Sequence, residues 1–208
     1  MTVVTVVGLH SYHHVSMNRR MSLLLAGMVL LSLMADLFLK QLQDIQEAMW
    51  ACYWAAASIV AGVLLKSKRL VSCGVVFFVA LGLPAWLLSI FLYDGHFEIT
   101  SVLMHTVPLL SGLYYLSGST SLPKYSAAGA WLLYAVPFGL SWRICKPSAM
   151  INLSRWEQWP LSGLLHHEWQ FYGLLMTVSM VLVTAMASLL KRILFQAADP
   201  VRIQQRLT

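Results

Sequence analysis

Charge is what this sequence has least of. Its 208 residues include 14 Lys and Arg and 8 Asp and Glu, 11% of the chain, against 59% hydrophobic residues. A soluble domain of this length cannot cover its surface with so little charge, and the mean hydropathy of +0.70 points instead to an integral membrane protein. Cysteine is scarce as well. Cys52, Cys73 and Cys145 are too few and too scattered for a disulfide framework or a zinc site. Repeats of fixed period and low-complexity tracts are also missing, so nothing in the pattern divides the chain into repeated or linker-joined units.

What the sequence has in abundance is long apolar runs. A hydrocarbon core about 30 Å thick needs roughly 20 apolar residues in a helix. Runs at 21–39, 48–65, 70–93, 101–117, 126–142 and 170–190 meet that need, predicting an all-α polytopic membrane protein with a bundle of six transmembrane helices. Domain organisation follows: 1–20 as an N-terminal arm, 21–192 as the six-helix transmembrane domain, and 193–208 as a tail. MNRRMSLLL from Met17 reads as an ordinary start, which would leave 1–16 as an upstream extension or a loose arm. Basic residues follow the first apolar stretch and do not precede it, so a cleavable signal peptide is not expected.

The net charge of +6 is explained by topology. Arg19, Arg20, Lys66, Lys68, Arg69, Lys124, Lys191, Arg192, Arg202 and Arg206 fall on one side of the predicted spans, and only Lys40, Arg143, Lys146 and Arg155 on the other. Basic loops are retained in the cytoplasm, so both termini are expected there. Asp44, Glu47, Asp94, Glu98, Glu157 and Glu168 all fall outside. The positive charge then faces anionic lipid; no nucleic-acid partner is expected. The expected location is a bacterial inner membrane, with membrane lipids as partners and a membrane-protein partner left open.

Within the spans, Pro84, Pro108 and Pro137 each remove a backbone donor and are expected to kink their helices. The second span is rich in small residues, and Ser58 with Gly62 forms a small-xxx-small pair that allows another helix close, which places this span in the middle of the bundle.

Ionisable groups inside an apolar span mark candidate functional positions. Counted from the outer ends of the predicted spans, His105 and Cys52 each lie about 6 Å deep and Asp36 about 5 Å. An imidazole, a thiol and a carboxylate at one level are the parts of a base, nucleophile and orienter set: the base takes the thiol proton and the acid holds the ring in one tautomer. Each also has a plain structural reading, the histidine donating to a backbone carbonyl, the aspartate reaching toward water and the cysteine filling space. His166, His167 and His96 are weak metal candidates on the outer face, since no pair of them has i, i+4 spacing. His10, His13 and His14 fit an HxxHH spacing but lack the further boxes that a di-iron oxygenase needs. Only His105 sits securely inside a span, which argues against bis-histidine haem; no cofactor and no metal are expected.

The run FLYDGHFEIT followed by SVLMHTVPLLSGLYYL resembles the corresponding region of the androgen-induced, FAR-17a-like family of six-span membrane hydrolases, and more loosely its bacterial Pr6Pr-type relatives. The likeness rests on Tyr93 and Asp94, then Met104, His105, Thr106 and Pro108, and extends less distinctly over 48–192 through the order and length of spans. It implies hydrolysis of lipid esters by an intramembrane threonine with the histidine as its partner. The histidine maps to His105. The threonine position falls near Trp54, where this chain has none; Cys52 is then the candidate nucleophile and Ser58 the reserve. Trp54, Ser58, Tyr93 and Pro108 are the expected substrate-binding residues, and the loop 143–169 a lid. The expected function is an intramembrane lipid-ester hydrolase or acyltransferase with its pocket near the outer leaflet. The alternatives are an accessory or assembly subunit of a membrane complex, and a small-solute or proton carrier that relays through His105 and Asp36.

Overall fold

In the computed structural model, the described residues are 19–39, 49–92, 98–117, 119, 121–145 and 167–196, and the regular elements among them are all helical. In chain order these are α1 (Arg19–Leu39), α2 (Ala51–Leu64), α3 (Lys68–Phe77), a π-helical segment (Phe78–Gly82), α4 (Leu83–Leu92), α5 (Ile99–Ser117), α6 (Ser126–Ile144), α7 (Glu168–Lys191) and a closing π-helical segment (Arg192–Gln196). Because α3, the first π segment and α4 run on without a break, the elements form six rods. Their bounds fall within three residues of the six apolar runs, except that the closing π segment carries the last rod on to Gln196.

Four of the rods are long and apolar enough to cross a membrane: Arg20–Phe38, Lys68–Phe91, Ile99–Ser117 and Glu168–Leu194. Helix α2 has 14 residues and rises only about 21 Å, short of a ~30 Å core. It is shorter than the apolar run 48–65 because it starts only after the extended Trp50 and the chain turns at its C-terminus. At its C-terminus Lys66 adopts a left-handed conformation, φ 54°. The Ser67 N–H then donates to the Gly62 carbonyl (2.7 Å) and the Lys66 N–H to the Val63 carbonyl (3.3 Å), a Schellman closure that ends the helix and starts α3 one residue later. The other rod outside these four, α6, is long enough but interleaves Ser126, Gly129, Gly139, Ser141 and Arg143 with its apolar positions.

The small residues of α2 have the expected effect. Ala51, Tyr53, Ala55, Ala56, Ile59, Gly62 and Val63 are all buried, and α2 packs against α1, α3, α5 and α6. A Cβ built on Gly62 would stand 2.7 Å from the Val71 backbone nitrogen, and one on Gly74 would stand 2.8 Å from the Ala55 carbonyl oxygen and 2.5 Å from Ile59 Cγ1. Only glycine lets the α2–α3 hairpin close to this distance. The Ser58 hydroxyl donates to the Leu70 carbonyl across the hairpin at 2.9 Å. On the far side of α3, the hydroxyls of Ser72 and Ser126 lie 2.7 Å apart and bring in α6.

Of the three intrahelical prolines, Pro84 is the one flanked by irregular helix. Its missing N–H leaves the Ala80 carbonyl without its usual donor, and its ring crowds that carbonyl; the wider π turn over Phe78–Gly82 accommodates both. Pro108 is buried inside an unbroken α5 and Pro137 inside an unbroken α6. An aromatic seam of Tyr134, Phe138, Trp142, Phe171 and Tyr172 joins α6 to α7. Helix α7 buries Ser179, Val183, Ala187 and Leu190 on one face, and its other face is outward, with Leu174, Val178, Val181 and Leu182 exposed.

The hairpin contact yields a direct test. Gly74→Ala is expected to destabilise the protein by about 1–3 kcal/mol, because the new methyl meets backbone that cannot give way. Gly139→Ala, where nothing lies within 4 Å of the new Cβ, is expected to be neutral or to stabilise by up to about 1 kcal/mol through helix propensity. Thermal unfolding in detergent compares the two; equal melting temperatures would count against a close-packed hairpin.

Candidate functional site

His105 sits in the second turn of α5 with 7% of its surface exposed. Its Nδ1 lies 2.8 Å from the carbonyl oxygen of Ser101, one turn earlier on the same helix. A carbonyl can only accept, so Nδ1 carries the proton and Nε2 is the acceptor of the neutral ring. Two rings of the neighbouring rod enclose the imidazole. Trp86 stacks on it with centroids 5.0 Å apart and planes inclined by 15°, and Phe78 meets it edge to face at 6.1 Å. The Trp86 indole N–H donates to Ser101 Oγ at 2.9 Å. Ser101, itself buried, therefore holds the histidine through its carbonyl and the tryptophan through its hydroxyl.

Asp36 is among the most deeply buried side chains of the protein, 1% exposed near the C-terminal end of α1. The Tyr53 hydroxyl donates to its Oδ2 at 2.7 Å, tying the end of α1 to the start of α2. Burial of a carboxylate in an apolar bundle is costly unless it is hydrogen-bonded, and the phenol of Tyr53, 6% exposed, supplies one such bond in the protein interior.

Cys52 precedes Tyr53 on α2, is partly buried and packs against the apolar core; its thiol is not in a disulfide. Trp54 is partly buried against the same core, and Ser58 is engaged with the Leu70 carbonyl. Thr106, next to His105, donates within its own helix to the Val102 carbonyl at 2.8 Å. Pro108 is buried one turn past the histidine. Tyr93, Asp94, His96 and His166 lie outside the described residues, as do His10, His13, His14 and most of the 143–169 loop. His167 is exposed at the start of α7, where its ring stacks on Trp169 and its backbone N–H donates to Gln170 Oε1. Among the described residues, no group of three His, Cys, Asp or Glu side chains is placed to hold a metal ion.

Helix ends revise the depth arithmetic. His105 lies six residues inside α5, about 9 Å along the axis, whereas Cys52 is one residue inside α2 and Asp36 three residues from the end of α1. The structure pairs Asp36 with Tyr53, and gives the ring-holding bond on Nδ1 of His105 to the Ser101 carbonyl. Tyr53, Phe78, Trp86 and Ser101 were not singled out in the sequence. Of these, Ser101 carried a usable signal, because a residue four before a buried histidine lies on the same helix face. The register of Phe78 and Trp86 depends on the π segment, which no periodicity in the sequence announces.

Comparison with protein-family models, with curated proteins and with solved structures finds no match. The chemistry of the site therefore rests on its own geometry. Tyr53→Phe removes a donor from a buried carboxylate and is expected to cost about 1–3 kcal/mol, read as a lower melting temperature. Asp36→Asn keeps an acceptor for the phenol and is expected to lose less; the reverse order would argue that the phenol contributes nothing to holding the acid.

Proposed function

We propose that this chain is an intramembrane lipid-ester hydrolase or acyltransferase whose general base is Nε2 of His105. The observation that carries the reading is the Nδ1 bond to the Ser101 carbonyl inside a nearly closed aromatic site. It fixes the tautomer in which Nε2 accepts a proton, the state a base needs before reaction. The resemblance of the residues around Tyr93 and His105 to the androgen-induced, FAR-17a-like hydrolases supports the same assignment. In this reading all six rods cross a bacterial inner membrane, both termini are cytoplasmic, and the ester enters sideways from the outer leaflet past the helices that carry Pro84 and Pro108.

Cys52 is the proposed nucleophile. Nε2 takes the thiol proton, and the thiolate adds to the ester carbonyl carbon. The carbonyl–oxygen bond to the alcohol then breaks, Nε2 returns the proton to the departing alkoxide, and an acyl thioester remains. Water or a second alcohol, deprotonated by the same nitrogen, releases the acyl group as acid or new ester. Asp36, held by Tyr53, ties the end of α1 to the turn of α2 that carries Cys52.

A second reading, an accessory subunit of a membrane complex, is favoured by one feature of α7. Gly173, Thr177, Thr184 and Ser188 are exposed along one face, a small-residue surface suited to a helix of another protein. Recovery of one stoichiometric membrane partner, with no ester turnover, would favour it.

The enzymatic reading is tested by incubating the purified protein with p-nitrophenyl octanoate and locating the acyl adduct by mass spectrometry. An octanoyl thioester is expected on Cys52, formed roughly 10²- to 10⁴-fold more slowly in His105→Asn. Equal rates in that variant, or full turnover in Cys52→Ala, would overturn the assignment.

A further inference from the structure

We propose that Trp86 is a positioning residue for His105, brought into place by the π-helical segment and locked there by Ser101. The inference deepens the catalytic reading above and rests on it for its kinetic consequence, while its geometric claim stands on contacts alone.

The helical arithmetic is the starting point. Phe78 and Trp86 are eight residues apart, and in an uninterrupted α-helix that spacing would turn one about 80° away from the other. A π segment acts as a one-residue insertion, so the pair behaves like residues seven apart and is offset by only about 20°. Both rings then point to the same side of the rod, about 10.5 Å apart along its axis. His105 fills the interval, with centroid distances of 6.1 Å to Phe78 and 5.0 Å to Trp86. Without the irregular turn between Phe78 and Gly82, one of the two walls would face elsewhere.

Stacking alone leaves an imidazole able to slide in its plane. The bond from the Trp86 indole to Ser101 Oγ removes that freedom, because the same serine holds Nδ1 through its carbonyl. Tryptophan and histidine thus share one anchor on α5, and the direction of Nε2 is set by three groups instead of one. The indole face also meets the imidazole nearly parallel, an arrangement that stabilises the ring while it carries the proton taken from the nucleophile. Phenylalanine at 86 could keep the stack but not the bond; leucine could keep neither.

Ser101→Ala is the decisive variant. It deletes the hydroxyl that holds Trp86 and keeps the backbone carbonyl that holds His105, so the histidine loses nothing directly. The protein, labelled with ¹³C-histidine and studied in detergent, should show one imidazole Cε1–H resonance displaced by the indole ring current, identified by its disappearance in His105→Asn. In Ser101→Ala and in Trp86→Leu this resonance is expected to move toward its unshifted position. With p-nitrophenyl octanoate, both variants should lower kcat about tenfold or more with KM changed less than twofold, since a small misplacement of a base is costly to the chemical step. Trp86→Phe should recover part of the rate. An unmoved resonance in Ser101→Ala would overturn the proposal, as would wild-type kcat in a Trp86→Leu protein that folds normally. If the wild-type protein turns over no ester while the resonance still moves, the positioning stands and the catalytic reading fails.

Discussion

The approach of α2 to α3 at Gly62 and Gly74 is the contact on which the rest of the bundle depends. Lipid is as apolar as a leucine side chain, so helices in a membrane gain little by burying hydrophobic surface and must gain by fitting closely. Here glycine on one helix meets backbone on the other, and the hairpin closes to a separation that no side chain would permit. Helix α2 then touches α1, α3, α5 and α6, and α3 touches α5, α6 and α7. Since α3 continues through the π segment into α4, the position of the hairpin sets where Phe78 and Trp86 meet α5. The histidine site is built outward from this packing.

A second constraint acts on the polar groups. In an apolar bundle each buried donor and acceptor has to find a partner inside the protein. The hydroxyls of Ser32, Thr106 and Ser179 do so within their own helices, which gives them a local structural use. His105, Trp86 and Ser101 form a set between two rods, and Asp36 with Tyr53 forms another between α1 and α2. Pairings between helices fix rotation and register, which pairings within one helix cannot do. Ser58 with the Leu70 carbonyl and Ser72 with Ser126 do the same for α2, α3 and α6; what the candidate site adds is an ionisable group within each set.

Much of the architecture was legible because it follows from composition and period. Six apolar runs match six helical rods to within three residues apart from the closing π segment, and the small residues of α2 foretold its central place. His105 and Asp36 stood out because an ionisable group in an apolar run is rare, and both are buried. The partners of these residues were not legible. Tyr53 and Trp86 are ordinary interfacial aromatics by sequence, and their roles arise from which helix faces which. The equal depth inferred for His105, Cys52 and Asp36 depended on where each span was taken to begin, and the starts of α2 at Ala51 and of α5 at Ile99 altered that count. The π segment is the clearest case. A one-residue change in helical register is invisible to a pattern of apolar residues when every neighbour is apolar too.

The central claim is that the bond to Ser101 fixes His105 with its proton on Nδ1 and Nε2 as acceptor. The ¹⁵N chemical shifts of the two ring nitrogens, measured by solid-state magnetic resonance on histidine-labelled protein in lipid bilayers, read this tautomer directly. The account predicts a neutral His105 with a protonated, pyrrole-like Nδ1 and an unprotonated, pyridine-like Nε2. A neutral ring with the proton on Nε2 would contradict it.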